Sequence, residues 1–290
     1  ISGINGLYPT LLIIKKTKNI AIANKESIIC GWSLIKRELI KNKTNFIPID
    51  SEHFSIWSLL KNENLNNINK IYLTASGGPF LYKNLSQIKN IKPSKALKHP
   101  NWKMGKKISI DSATMMNKIF EIIEAKKIFN LNIKKFEIII HPKSLIHAII
   151  QFNNGLVKLL AHNTSMEIPI QNSLQMDNEN LNFNNIDIDL VKMNGINFIK
   201  PKITNFPFLK ILKIIPNKDS YFETILISIN DELVMRYLNK KINYFSIHKI
   251  LLRLIKLPYF TKYYNKNPKD INDIIFMVKR VKLYLNNYLK

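Results

Sequence analysis

The stretch PIDSEH, residues 48–53, sets two carboxylates, Asp50 and Glu52, on either side of Ser51 and directly before His53. The chain has 20 acidic residues against 44 basic ones, so two acids at the end of an apolar, strand-like run need a reason. Like charges this close repel and raise one another's pKa unless something positive lies between them. On a strand, residues i and i+2 point to one side, so both carboxylates would face the same space. Hard oxygen donors suit magnesium or manganese, whereas zinc would want His or Cys company. The stretch reads as half of a metal site, with a solvated strand end as the plain alternative.

Four further stretches carry polar groups where ligands often bind. TASGGPF (74–80) follows a strand-like run, and its two glycines let backbone N–H groups form an anion nest beside Ser76. DSATMMNK (111–118) opens a helix after the expected strand KKISID (106–111) and puts Ser112 at a helix N-terminus, a place that favours phosphate. Asn117, Glu121 and Glu124 then share one helical face with Lys118 beside them. HPNWKMGKK (99–107) has almost no periodicity, and its Trp102 and Met104 beside Gly105 suit a lid over a polar site. ANKES (23–27) places Lys25 and Glu26 at a strand-to-helix turn, a usual ligand position in α/β folds. Taken singly, each is equally a tight turn, an amphipathic helix, a packed loop or a helix cap.

Positioning such groups needs a sheet and helices. NIAIAN (19–24), TNFIPID (44–50), KIYLTA (70–75), KKISID and FEIII (136–140) read as strands. ESIICGWSLIKRELIKN and ATMMNKIFEIIEAKKIF have helical apolar spacing, and strands alternating with helices suggest an α/β fold with a mostly parallel sheet. HAIIQF and LVKLLAH, joined by NNG, read as a hairpin. Residues 176–205 are Asn- and Asp-rich and read as a linker, and from about 206 the pattern is helical to the end.

Composition excludes some classes. No run reaches the roughly 18 apolar residues of a membrane span. The single cysteine, Cys30, rules out an internal disulfide and fits a reducing compartment. The net charge of +24 looks like a nucleic-acid signal. Yet only Arg37, Arg236, Arg253 and Arg280 could supply the guanidinium forks that base readers favour, and the lysines are spread along the chain. Lys, Ile and Asn are over-used together while Gly is scarce, a bias that codons without G or C would produce.

Together and in this order, ANKES, PIDSEH, TASGGPF, HPNWKMGKKISIDSATMMNK, the E-x-x-E-A of 121–125 and IHPKSLIH (140–147) resemble the 1-deoxy-D-xylulose 5-phosphate reductoisomerase family. The resemblance runs along the whole chain and is weaker after about 165. It implies NADPH-dependent rearrangement and reduction of 1-deoxy-D-xylulose 5-phosphate to 2-C-methyl-D-erythritol 4-phosphate, with Mg²⁺ or Mn²⁺. By the resemblance, Asp50, Glu52 and Glu121 match the metal ligands. Lys25, Ser51 and Glu52 match residues that hold the sugar backbone, and Ser76, His99, Ser112, Asn117 and Lys118 match the phosphate end. Lys25, Glu52, His99 and Glu121 are the expected catalytic set. Asn24, Glu26 and Gly105 match cofactor contacts, and Trp102 with Met104 matches the lid.

The resemblance implies residues 1–49 as the remnant of an NADPH-binding domain, 50–175 as the metal- and substrate-binding domain, 176–205 as a linker and 206–290 as a helical domain. It also implies a homodimer in bacterial cytoplasm or plastid stroma, with no nucleic acid or membrane partner. The departures are local. The family's Gly-rich dinucleotide turn has no counterpart in this stretch, so NADPH affinity is expected to be weak. Ile119 stands where the family has Gly, and HNTSMEIPI (162–170) keeps only Met166 and Pro169 of the family's acidic pattern. Two other readings stay open: a non-catalytic basic binding module on the same scaffold, and a metal-dependent sugar-phosphate isomerase without NADPH.

Overall fold

Helix α1 (Leu7–Ile14) leads into strand β1 (Asn19–Ile22), helix α2 (Lys25–Asn42) and strand β2 (Asn45–Pro48). The two strands pair parallel, Ile20 opposite Phe46. Asn24 starts α2 as its N-cap, its side chain accepting from the Ser27 N–H at 2.7 Å. Helix α1 lies so close to α2 that a Cβ on Gly31 would stand 2.5 Å from Leu7 Cδ1. The computed structural model describes residues 1, 3–102, 104–174 and 188–289.

Helix α3 (Ser51–Leu59) follows β2, and strand β3 (Ile68–Ala75) begins the second sheet. After β3 come the short α4 (Pro93–Ala96), α5 (Lys106–Ala113) and α6 (Met116–Phe129). Strands β4 (Phe136–Ile140), β5 (Ile146–Phe152) and β6 (Val157–Ala161) and helix α7 (Glu167–Leu174) complete this part. The sheet order is β4-β3-β5-β6. β3 and β4 run parallel from Ile71↔Phe136 to Ala75↔Ile140, while β5 is antiparallel to both β3 and β6. The α/β class with a helical C-terminal region holds, and the sheet is mixed rather than mostly parallel. The expected hairpin does form, but it joins the sheet through β5 and so adds antiparallel pairs.

The chain ends in α8 (Tyr221–Leu238), α9 (Tyr244–Leu254), α10 (Pro258–Thr261) and α11 (Ile271–Tyr288). A capping box between Ser220 and Glu223 opens α8, which packs against α2, α5 and α11. Of the expected linker, residues 176–187 lie outside the described residues. Its later part returns to the sheet, where Ile199 bridges Ile140. Among the described residues no helix is long and apolar enough to cross a membrane.

Three local expectations need correction. KKISID is the first part of helix α5, not a strand. Its alternating isoleucines imitate period 2, but Ser109 and Asp111 are buried as well, and Asp111 finds Asn230 on α8 at 2.7 Å. Tertiary partners thus override a six-residue pattern. Ser112 consequently lies near the C-terminal end of α5, not at a helix N-terminus. Asp50 and Glu52 are not strand residues: Asp50 is the N-cap of α3 and Glu52 lies in its first turn.

Candidate active site

A cleft of about 180 Å³ opens where β2 and β3 end. Ligand sites at the carboxyl ends of strands are the rule in open α/β sheets. β3 stops at Ala75 because Gly77 and Gly78 take φ values of 84° and 66°, which a side chain would resist. Gly78 also needs its missing side chain, since a Cβ would stand 3.2 Å from Ala113 Cα on α5.

One wall of the cleft is acidic. Carboxylate oxygens of Asp50, Glu52 and Glu121 all lie within 4.8 Å of one another. Asp50 and Glu52 come from the start of α3, and Glu121 reaches across from α6. Lys118 Nζ lies 2.5 Å from both Glu52 and Glu121, and Lys25 pairs with Asp50 and lies 3.3 Å from Glu121. Behind them, His53 Nε2 meets the Glu121 carbonyl at 2.9 Å, and its Nδ1 lies 3.6 Å from Glu124 and 3.7 Å from Asp50.

This crowding sets the protonation states. Burial works against a charged His53, but Glu124 and Asp50 outweigh it and raise the ring to about 9. His53 is therefore a cation, with Nε2–H donating to the Glu121 carbonyl. Burial lifts Glu124 to about 7, partly countered by His53 and Lys25. Burial would also raise Asp50, yet Lys25 and His53 hold it well below the carboxylate range. Of a second set of potential ligands, Asp50, His53 and Glu124, only Asp50 lines the cleft. The Asp50–Glu52–Glu121 set borders the cleft and offers only oxygen donors, which fits a hard divalent cation.

Away from the carboxylates the cleft is lined by hydroxyl, imidazole and amide groups, with the Lys118 ammonium between the two parts. The Asn101 and Trp102 N–H groups both approach His99 Nδ1, at 3.2 and 2.9 Å. That nitrogen must accept, so Nε2 carries the hydrogen and donates to Ser76 Oγ at 3.0 Å. Burial and the Lys118 charge push His99 down to about 4, consistent with a neutral ring. Ser76 Oγ also accepts from Gly78 N–H at 3.1 Å, which leaves its own hydrogen free to point into the cleft. Ser112, Asn117 and Lys118 line the same space.

The chain's sequence matches three models of one group of proteins: 1-deoxy-D-xylulose 5-phosphate reductoisomerase at residues 1–31, and reductoisomerase C-terminal domains at 46–129 and 162–284. It is 58% identical over 274 residues to the 1-deoxy-D-xylulose 5-phosphate reductoisomerase of Pelagibacter ubique (strain HTCC1062), covering 94% of this chain and 70% of that protein. The chain belongs to the 1-deoxy-D-xylulose 5-phosphate reductoisomerase family. The reductoisomerase of Clostridium tetani is 39% identical over 285 residues, covering 98% of this chain and 72% of that one. The structure overlays a crystal structure of DOX-P reductoisomerase in complex with NADPH, fosmidomycin and magnesium, with TM-score 0.91 and 30% identity over 100% of this chain and 74% of that chain. The Zymomonas mobilis reductoisomerase in complex with NADPH gives 0.89 at 30% identity, with the same coverage.

Of the residues singled out by the reductoisomerase resemblance, the structure brings Asp50, Ser51, Glu52, Ser76, His99, Ser112, Asn117, Lys118 and Glu121 to one cleft, with Trp102 and Met104 at its edge. Lys25 reaches it from below through Asp50 and Glu121. Asn24, Glu26 and Gly105 stand to one side, at the start of α2 and of α5. Asn24 Nδ2 donates to the carbonyls of Ile1 and Gly3, and Glu26 is held by Lys107 at 2.9 Å. A Cβ on Gly105 would meet nothing within 4 Å among the described residues. Ile119 is buried in the core and does not line the cleft. Sequence reading assigned no role to Asn101, Ser144 or His147. Asn101 Nδ2 donates to the Pro142 carbonyl and Ser144 Oγ, both at 2.7 Å, and so pins the Trp102 loop to the turn before β5. The stretch IHPKSLIH was the available signal, but which of its polar residues turn inward depends on the β4–β5 turn.

Proposed function

We propose that Asp50, Glu52 and Glu121 hold a divalent cation, Mg²⁺ or Mn²⁺, in the reaction of this family, the NADPH-dependent conversion of 1-deoxy-D-xylulose 5-phosphate to 2-C-methyl-D-erythritol 4-phosphate. The observation that carries this reading is the meeting of those three carboxylates on one wall of a cleft whose other wall is built of phosphate-type donors. When bound, the cation acts as a Lewis acid on the substrate's oxygens. Burial works against all of these carboxylates, but Lys25 holds Asp50 and Lys118 holds Glu52 below the ordinary carboxylate range, and the two lysines orient the sugar backbone together with Ser51. Ser76 O–H, Ser112, Asn117 and Lys118 bind the phosphate, with His99 as the neutral support that turns Ser76 inward. Trp102 and Met104 close over the substrate and exclude water. Asn24, Glu26 and Gly105 would hold NADPH, which when bound would supply the hydride of the reduction. A basic binding module has no use for four buried or half-buried acids around two lysines.

The domain division at 1–49, 50–175 and 206–290 is part of the same reading. So is a homodimer: β6 is an edge of the sheet among the described residues, with Val157 and Leu159 exposed on it and Leu156 exposed just before it, a hazard for a lone chain. The bacterial relatives favour bacterial cytoplasm over plastid stroma, and the free, buried Cys30 fits either. Calorimetric titration of the chain with fosmidomycin tests the site. Binding should require Mg²⁺ or Mn²⁺ and vanish in chelator, and metal-independent binding would sink the assignment.

A further inference from the structure

The segment HNTSMEIPI, 162–170, begins with His162, and no role above uses it. His162 directly follows β6, and its N–H donates to the Leu145 carbonyl at 3.0 Å, fixing it to the start of β5. Its ring lies face to face with His147, centroids 3.7 Å apart and planes 11° from parallel. His147 lines the cleft, and Trp102 meets it edge-on at 6.1 Å and 78°.

The hydrogen bonds show what the His162 ring is for. Its Nδ1 lies 2.6 Å from the Asn163 carbonyl, so that nitrogen carries the hydrogen. Nε2 is buried and has no hydrogen-bond partner among the described residues. The ring thus performs no polar task beyond its own turn, and what it offers the site is its face. His147 Nε2 donates in turn to the His162 carbonyl at 3.1 Å, so the two residues are joined by a bond and a stack. Two cationic rings could not lie this close. Burial pushes both imidazoles down, His147 to about 4, which keeps the pair neutral. The Trp102 loop is pinned through Asn101 to Ser144, just before the strand that carries His147. Lid and stacked pair therefore hang from one element.

We infer that His162 is a positioning residue: its ring backs His147, His147 backs Trp102, and the stack sets how tightly the cleft closes on a phosphorylated or phosphonate ligand. The inference rests on the site reading above. Without the ring, a gap opens behind His147, and the surface that meets Trp102 can tilt.

The test measures two affinities in wild type, His162→Ala and His162→Phe: that for Mg²⁺ alone, and that for fosmidomycin at saturating Mg²⁺. In His162→Ala, Mg²⁺ affinity should be unchanged while the fosmidomycin Kd rises about three- to tenfold, the worth of one aromatic contact. His162→Phe restores a flat ring and should return the Kd to within about twofold of wild type. Should His162→Ala not fold, His162→Gln keeps an N–H donor but no ring and carries the same expectation. Equal Kd values in wild type and the ringless variant, or a loss that Phe does not restore, overturn the inference alone. A loss of Mg²⁺ affinity would make the role merely structural and overturn it too. Wild type that binds no fosmidomycin with Mg²⁺ overturns the site reading and this inference with it.

Discussion

Asp50 occupies an N-cap position, where a side-chain oxygen normally accepts from the first turn of its helix, yet it makes no such bond. Its carboxylate turns instead to Lys25 and His53. An omitted cap costs about 1 kcal/mol, so this residue is placed for the cleft at the expense of its helix. Glu121 makes a similar sacrifice, being almost wholly buried among charges on α6. Replacing Glu121 with Gln keeps its size and removes one ligand charge. Mg²⁺ affinity, read by calorimetry, should fall by about tenfold or more, and unchanged affinity would remove Glu121 from the ligand set.

At the scale of elements, α9 holds a buried titratable group of its own. His248 stacks on Phe208 with centroids 4.6 Å apart, and burial pushes it down to about 4, slightly offset by its bond to the Tyr244 carbonyl. The unfolded chain takes up that proton first, near pH 6.5, so His248 favours the folded state fully above this pH and loses that contribution as the pH falls towards 4. Replacing His248 with Phe should flatten the pH dependence of unfolding free energy across this window by up to about 1.4 kcal/mol per pH unit. Parallel slopes in denaturant titrations of the two proteins at several pH values would contradict this. The helices α2, α6, α8 and α11 and strands β1 to β6 were legible in the sequence because their apolar spacing is regular. Helix α5 was not, because what makes it helical is contact with residues far along the chain: Lys107 meets Glu26 at 2.9 Å and Asp231 at 3.0 Å. For the site, the charged residues were legible from their order along the chain. Asn101 and His147 were not, since a common amide and one histidine among six acquire meaning only from what they face.

For the molecule as a whole, the outer side of β6 is the surface on which the proposed homodimer can be tested. Val157 and Leu159, two apart on the strand, are 56% and 46% exposed. Replacing Leu159 with Lys should shift the chain from dimer to monomer in sedimentation analysis, and a wild-type chain that sediments as a monomer at every concentration would refute the dimer. The pairing of β3 with β4 has a further consequence, one of time. Asp50 and Glu52 precede β3 in the chain, Glu121 precedes β4, and the long connection through α4, α5 and α6 must close before the strands meet. Closing such a loop is slow compared with forming local helices. During folding the acids are therefore still apart when α2 and α6 first coil, and a cation has nothing to grip. A magnesium ion held by the proposed ligands would bind the folded state and not the unfolded one, so its benefit would fall on the lifetime of the folded state, slowing escape rather than hastening arrival.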